Sequence, residues 1–120
     1  MPIETTAASG KITVGQTPLL EITGISSALS ARVRLFAKAE WHNPGGSVKD
    51  RAGLRIIQEA ERSGFLGTGN GKILLDATSG NTGIAYAWIC ARLGYPLSLA
   101  VPGNINRQRR SILEAYGAEL

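Results

Sequence analysis

One lysine of this sequence stands where it could act as a nucleophile. Lys49 lies in the segment of residues 43–51, NPGGSVKDR, directly before apolar residues at helical spacing, which predicts that it occupies the first turn of a helix. The amides and the dipole at a helix N-terminus disfavour a cation and lower the cost of the neutral amine. A neutral amine is the form that attacks a carbonyl to make a Schiff base. The segment fits equally well an exposed lysine compensated by Asp50.

A second segment, residues 78–83 with the sequence TSGNTG, lies between an apolar run and another helical pattern. Backbone amides at a helix N-terminus, joined by hydroxyl and amide side chains, form a site for a carboxylate or phosphate. Glycines let the backbone approach such a ligand closely. The candidate binding residues are Thr78, Ser79, Gly80, Asn81 and Thr82. Ordinary turns and helix caps use the same small polar residues, so the segment alone indicates either role.

Three other features have simpler interpretations. His42 could act as an acid or base, but a histidine in a loop before a helix is more often a surface or packing residue. Cys90, the only cysteine, lies in an apolar run and is interpreted as a small buried side chain. Residues 67–71, GTGNG, run into a strand rather than out of one into a helix, which is the wrong order for a phosphate loop.

The elements that must position both segments alternate along the chain. Residues 1–16 are rich in Thr, Ala, Ser and Gly and are expected to form a loose N-terminal arm. The predicted strands are residues 18–22, 33–38, 72–77 and 97–101, with the opening of another at 118–120. The predicted helices run from a capping-box-like start at Ser47 and Asp50 to a stop at Ser63 and Gly64, from Asn81 to Leu93, and from Arg107 to Tyr116.

Helices and strands that alternate with short connections are typical of an α/β fold, here a three-layer αβα arrangement around a parallel sheet with right-handed crossovers. Residues 72–77 and 97–101 would be buried strands of that sheet. In such sheets, ligands bind at the loops that follow the carboxyl ends of the strands. Residues 78–83 form one such loop, so chemistry is expected there.

The composition fits one soluble domain of 120 residues with a net charge of +4. The basic residues are scattered except at positions 107–110, and no aromatic residues interleave with them, which argues against a nucleic-acid partner. A positive field suits anionic substrates and a phosphorylated cofactor instead. No secretory signal opens the chain and no apolar stretch is long enough for a bilayer. We therefore expect a cytoplasmic protein with no membrane contact and no metal site.

Four segments, in this order, resemble the cysteine synthase and cystathionine β-synthase family of pyridoxal-phosphate enzymes, which have fold type II, the tryptophan-synthase-β-like fold. They are residues 16–19 (QTPL), 43–51 (NPGGSVKDR), 78–83 (TSGNTG) and 101–120 (VPGNINRQRRSILEAYGAEL). The resemblance runs along nearly the whole chain. It implies that residues 1–120 form the N-terminal part of such a domain.

The resemblance also implies a role for each candidate residue. Lys49 would hold pyridoxal 5'-phosphate covalently and, once released, would remove the α-proton of the amino acid. Asn81 would donate a hydrogen bond to the ring hydroxyl of the cofactor. The substrate carboxylate would be held by Thr78, Ser79, Gly80, Asn81 and Thr82.

The implied reaction is a β-replacement, in which O-acetylserine or O-phosphoserine loses its leaving group and sulfide adds to give L-cysteine. Cystathionine β-synthase and serine or threonine dehydratase are sister activities that remain open. Gln108 stands where the family commonly has Glu before an arginine pair, which leaves the choice between acetyl and phosphate leaving groups open. The intact enzyme is expected to be a homodimer.

Length is the largest departure from the family, whose members are more than twice as long. The C-terminal half, expected to hold the glycine-rich loop for the cofactor phosphate, is absent from these 120 residues. The chain alone is therefore expected to be inactive, as a fragment or a truncated protein. A further alternative is a non-catalytic interaction unit, because an exposed sheet edge and apolar surface would favour a partner.

Overall fold

The computed structural model describes residues 3–7, 10–26, 28–30, 32–78 and 80–120. In chain order its elements are β1 Ile3–Ala7, β2 Gly10–Val14, β3 Leu19–Glu21, α1 Thr23–Ser26, β4 Phe36–Lys38, α2 Lys49–Arg62, β5 Leu74–Ala77, α3 Asn81–Leu93, β6 Leu97–Ala100 and α4 Arg107–Ala115. A short 3-10 turn, Glu40–His42, lies between β4 and α2.

Strands β5 and β6 pair in parallel, with Leu74 opposite Leu97. Helix α3 connects the two strands, as a parallel pair requires. At the other edge of β6, Ser98 forms an isolated parallel bridge with Glu119, which is where residues 118–120 were predicted to open a strand. The predicted α/β fold with a parallel sheet is confirmed.

The two parallel strands are buried to different degrees. Leu97 and Leu99 of β6 are 6% and 1% exposed, whereas Leu75 of β5 is 68% exposed. The prediction that residues 72–77 form a buried strand is therefore wrong for one face of β5. A continuous apolar run indicates two apolar faces, and the described part of the chain covers only one of them.

Helix α3 is the centre of the core. Its residues Ala85, Ile89 and Cys90 are each at most 1% exposed. Helix α2 packs against α3, and a Cβ built on Gly53 would lie 3.1 Å from the Cβ of Ala85. The missing side chain at Gly53 therefore lets the two helices approach closely. Because α2 begins at Lys49, this packing helps to set the relative positions of the two candidate segments.

The expectation of a loose arm over residues 1–16 is wrong for the described residues 3–7 and 10–14, which form two strands. Strands β1 and β2 form an antiparallel hairpin in which Ile3 lies opposite Val14 and Ala7 lies opposite Gly10. Ile12 is 3% exposed and Val14 is 0% exposed, because the hairpin packs against α2. The physical signal is the alternation of Ile12 and Val14 with polar neighbours, which is the period of a strand with one covered face.

Strands β3 and β4 form a second antiparallel pair, from Leu19 opposite Lys38 to Glu21 opposite Phe36. Both lie inside the ranges predicted from the sequence. The one-turn helix α1 that follows β3 was not predicted. This pair brings the QTPL segment next to residues 38–40, where it joins the candidate site.

Candidate active site

Lys49 lies where the sequence predicts it, as the first residue of α2. Its side chain is exposed, and no hydrogen bond or ion pair joins its amine to any described residue. Its backbone amide donates to the Ser47 hydroxyl at 3.2 Å. The structure thus presents a primary amine at a helix N-terminus without a neutralising partner in the described chain, so the amine is accessible to a ligand.

Asp50 does not compensate Lys49 and does not close a capping box with Ser47. Its carboxylate is 0% exposed and accepts hydrogen bonds from the indole Nε1 of Trp88 at 3.0 Å and from the backbone amide of Gly45. Burial raises the pKa of Asp50, and the hydrogen bonds from Trp88 and Gly45 oppose that rise. Asp50 therefore points into the interior while its neighbour Lys49 points outward.

The Pro-Gly-Gly loop before Lys49 is held tightly at its first glycine. A Cβ built on Gly45 would lie 2.3 Å from Oδ1 of Asp50 and 2.6 Å from Nε1 of Trp88, which no side chain tolerates. Gly46 has a φ of +80°, a conformation that glycine adopts without strain. The loop is therefore closely packed at Gly45, and it leads the chain into α2.

A buried asparagine fastens the start of the same segment to the rest of the molecule. Asn43, 4% exposed, donates from Nδ2 to the Glu40 carbonyl at 2.8 Å and to the Ser47 carbonyl at 3.1 Å. Its Oδ1 accepts from the Gly15 amide at 2.9 Å. One side chain thus connects the end of the β1–β2 hairpin, the 3-10 turn and the loop before Lys49.

A charged cluster lies beside Asn43. Both terminal oxygens of Glu40 accept from the Arg51 guanidinium at 2.9 Å, and the Thr17 hydroxyl donates to Glu40 at 2.8 Å. The Lys38 amine donates to Thr17. The Arg51 guanidinium, with Thr17 and Asn43, lowers the pKa of Glu40 to about 2. The QTPL and NPGGSVKDR segments are therefore one connected network.

The second segment lies at the start of α3. Thr78 follows β5, and its hydroxyl accepts from the Gly80 amide at 3.4 Å. Gly80 precedes the first helical residue, Asn81. Within the described chain, the amides of Asn81 and Thr82 have no acceptor, as expected for a helix N-terminus. Ser79, another predicted member, lies outside the described residues.

A glycine inside α3 shapes this loop. Gly83 is buried, and a Cβ on it would lie 2.8 Å from the Thr78 methyl group and 3.4 Å from Leu99. Thr78 therefore packs directly on the helix, and its hydroxyl is held beside the helix N-terminus. An open pocket of about 370 Å³ adjoins Thr78 at the carboxyl ends of the parallel strands; it is lined by Ala77, Thr78, Ala100, Val101 and Pro102. This is the expected position for a ligand.

Lys49 and the second segment lie at the starts of two helices, α2 and α3, that pack against each other. Asp50 and Gly53 of α2 contact Trp88 and Ala85 of α3, and Glu61 near the end of α2 contacts Tyr95 just after α3, so the end of α2 lies beside the end of α3. Trp88 follows Asn81 by seven residues, which is about 10 Å along a helix. The structure therefore connects the two candidate segments through the packing of α2 against α3.

The remaining candidates have structural surroundings of their own. His42 is exposed, with its ring 5.9 Å from that of Trp41. Cys90 is buried as predicted, and burial raises the pKa of its thiol to about 12. Residues 67–71 connect α2 to β5. Among the residues that the structure describes, no three metal-ligating side chains cluster, and no helix is long and apolar enough to cross a membrane.

Asn43 and Arg51 were not assigned roles from the sequence, and Asp50 was interpreted only as a helix cap or a partner of Lys49, although all three lie in the NPGGSVKDR segment. Their partners Gly15, Trp88 and Glu40 are distant or lie in segments without a motif. The signal that was available is their clustering around one candidate lysine. Polar residues crowded beside a reactive group are candidates for positioning it.

Known proteins are similar to this chain in sequence and in structure. The family of pyridoxal-phosphate dependent enzymes matches residues 11–120. Cysteine synthase B of Escherichia coli (strain K12) is 47% identical over 108 residues, which cover 90% of this chain and 34% of that protein. The chain spans about a third of the length of the curated relatives it matches.

Two solved structures show the same fold. A cysteine synthase from Entamoeba histolytica has a TM-score of 0.83 and 38% identity, covering 89% of this chain and 32% of that one. An O-acetylserine dependent cystathionine β-synthase from Helicobacter pylori has a TM-score of 0.78 and 32% identity, covering 88% of this chain and 34% of that one.

Proposed function

The chain belongs to the family of pyridoxal-phosphate dependent enzymes, and from that premise we propose that it is the N-terminal part of a cysteine synthase. The complete enzyme would make L-cysteine from O-acetylserine or O-phosphoserine and sulfide. The observation that carries this proposal is Lys49, an exposed amine without a described ion-pair partner at the start of α2, in a chain 47% identical to a cysteine synthase.

The residues present fit pyridoxal phosphate as a cofactor. Lys49 offers a primary amine to an aldehyde, and Asn81 offers a side-chain amide to a ring hydroxyl. The amides of Asn81 and Thr82, which have no acceptor in the described chain, suit an anionic group. When bound, the cofactor supplies an electron sink that acidifies the α-proton of an amino acid.

The side chains would divide the remaining work between them. The Lys49 amine, once free, would accept the α-proton, because a neutral amine is a base and its flexible four-carbon chain lets it reach the substrate. Hydroxyls and amides at the start of α3 would bind and orient the substrate carboxylate; these belong to Thr78, Ser79, Gly80, Asn81 and Thr82. The open pocket beside Thr78 supports this assignment, because it leaves room for a small amino acid.

A cystathionine β-synthase is the second candidate. The observation in its favour is the structural likeness to the Helicobacter pylori enzyme, with a TM-score of 0.78. Both candidates would remove the α-proton and then the leaving group from the same kind of amino acid, and they would differ in the incoming nucleophile, which is sulfide in one and a thiol in the other. The residues proposed here would contact the cofactor and the amino acid, so they would serve either reaction.

Three further proposals rest on the family resemblance. Residues 1–120 would belong to one catalytic domain, with the loose-arm assignment replaced by the β1–β2 hairpin. The complete enzyme would be a homodimer and would work in the cytoplasm. Its partners would be small molecules, namely an amino acid and a sulfide donor, which the names of the relatives support.

Covalent trapping tests the cofactor site. The purified chain is mixed with pyridoxal phosphate, reduced with borohydride and digested, and the added mass is located by peptide mass spectrometry. We expect Lys49 to carry most of the label, because its amine is exposed and has no described partner. The other lysines are Lys11, Lys38 and Lys72.

Two substitutions control this experiment. Lys49→Arg should remove the selective label, whereas Lys72→Arg, whose side chain lies over Phe65, should leave it unchanged. Equal labelling of all four lysines would contradict the proposed cofactor site. The reaction itself is tested on the protein expressed from its full coding sequence: cysteine formation is expected, cystathionine would favour the second candidate, and pyruvate alone would contradict both.

A further inference from the structure

A buried carboxylate without a counter-charge lies one residue after Lys49. Asp50 is 0% exposed, and no lysine or arginine in the described part of the chain forms an ion pair with it. Burying an ionised group without an opposite charge is costly unless hydrogen bonds compensate. Such a group beside a reactive amine is a candidate for a functional role.

The two hydrogen bonds of Asp50 join three parts of the molecule. Trp88 Nε1, on α3, donates at 3.0 Å, and the amide of Gly45 donates from the loop before Lys49. Asp50 itself belongs to the first turn of α2. Because a Cβ at Gly45 would overlap both Asp50 and Trp88, the three groups are packed as closely as backbone and side chains allow.

We propose that Asp50 and Trp88 are positioning residues, whose hydrogen bond fixes Lys49 relative to the ligand loop at the start of α3. This inference rests on the proposed function. Trp88 and Asn81 belong to one continuous helix, so the bond from Trp88 to Asp50 transmits the position of that loop to the neighbour of Lys49. This hydrogen bond connects the first turn of α2, which carries Lys49, to the helix that begins at the ligand loop.

A second hydrogen bond offers a matched comparison. The Tyr95 hydroxyl, just after α3, donates to Glu61 near the end of α2 at 2.6 Å. Both bonds therefore join the same two helices, but only the one from Trp88 lies at the Lys49 end. If general packing of the helix pair sufficed to position Lys49, loss of either bond would have the same effect.

The experiment compares Trp88→Phe with Tyr95→Phe, since each substitution removes one donor and keeps an aromatic ring. Borohydride trapping with pyridoxal phosphate measures the label at Lys49 relative to the other lysines. We expect Trp88→Phe to lower this ratio on the order of tenfold, the scale of a lost hydrogen bond to a charged group. We expect Tyr95→Phe to leave it unchanged. Trp41→Phe, at a tryptophan 60% exposed, controls for loss of an indole.

Amide hydrogen exchange supplies a readout that needs no cofactor. The Gly45 amide should exchange faster on the order of tenfold in Trp88→Phe, because its acceptor Asp50 is no longer held in place. Asp50→Asn is a second variant with the same expectation, since its amide group cannot accept from both donors. Tyr95→Phe should leave the exchange of Gly45 unchanged.

The outcomes separate this inference from the proposed function. Selective labelling of Lys49 in the wild type with an unchanged ratio in Trp88→Phe would overturn the inference and leave the proposed function standing. Equal losses in Trp88→Phe and Tyr95→Phe would also overturn it. A wild type without selective labelling contradicts the proposed function. The exchange of the Gly45 amide then tests the inference. Unchanged exchange in Trp88→Phe would overturn the inference, and faster exchange would support it.

Discussion

Glu40 illustrates how a single ionisable residue couples the site region to pH. Its pKa is lowered from 4.5 to about 2, chiefly by hydrogen bonds from Arg51 and further by Thr17 and Asn43. A carboxylate with a lowered pKa in the folded state stabilises that state fully above its unfolded pKa. The contribution is lost as the pH falls from about 4.5 through about 2.

Glu40→Gln should therefore flatten the acid side of the stability curve. The variant should unfold at a lower temperature than the wild type at pH 7, because Arg51 loses its partner. The difference between the two proteins should shrink as the pH falls from 4.5 towards 2. Thermal unfolding followed by circular dichroism at several pH values measures this. A difference that stays constant over that range would show that the network contributes no pH-dependent stability.

Single residues could be predicted from the sequence where their signal is local. Lys49 and Asn81 were found because each stands at a helix start recognisable from its neighbours, and both lie there in the structure. The hydrogen bond between Trp88 and Asp50 could not be predicted, because the two residues are 38 positions apart. Nothing in the sequence around either residue identifies the other as its partner. Contacts between distant residues depend on how the helices pack, and a local sequence pattern does not predict that packing.

Among the elements, the three longer helices α2, α3 and α4 were predicted well because their ends are marked. Glycines with positive φ follow α3 and α4, at Gly94 with a φ of +78° and Gly117 with +84°, which are the usual helix stops. The β1–β2 hairpin was missed because small polar residues dominate its composition. Its alternation of buried Ile12 and Val14 is short, and only packing against α2 shows which face is covered.

The hairpin should contribute to stability if it packs as described. Val14→Ala removes two methyl groups at a site that is 0% exposed, so it should lower the free energy of unfolding by about 2 kcal/mol. Thr13→Ala, on the exposed face of the same strand, should change it by less than about 0.5 kcal/mol. Urea unfolding of both variants measures these values. Equal and negligible effects would support a loose arm.

Over the whole molecule, the net charge indicates a small anionic ligand, whereas the exposed apolar side chains indicate a surface covered by protein. The net charge is +4. Several arginines form ion pairs with glutamates; in the described residues these are Arg34, Arg51, Arg62 and Arg110. Leu75 and Phe65 are 68% and 70% exposed, which suits a surface covered by other protein. The positive excess instead suits small anions, which it concentrates near the protein.

The positive field predicts a salt effect on cofactor capture. Pyridoxal phosphate is an anion, so the rate at which it labels Lys49 should fall as salt shortens the Debye length from about 30 Å at 0.01 M to about 3 Å at 1 M. The expected decrease is on the order of tenfold. Pyridoxal, which lacks the phosphate, reacts with the same amine and should show little change. Stopped-flow absorbance measures both rates. An equal salt dependence for the two aldehydes would mean that salt acts on the Lys49 amine or on the fold, and that long-range attraction of the phosphate contributes nothing.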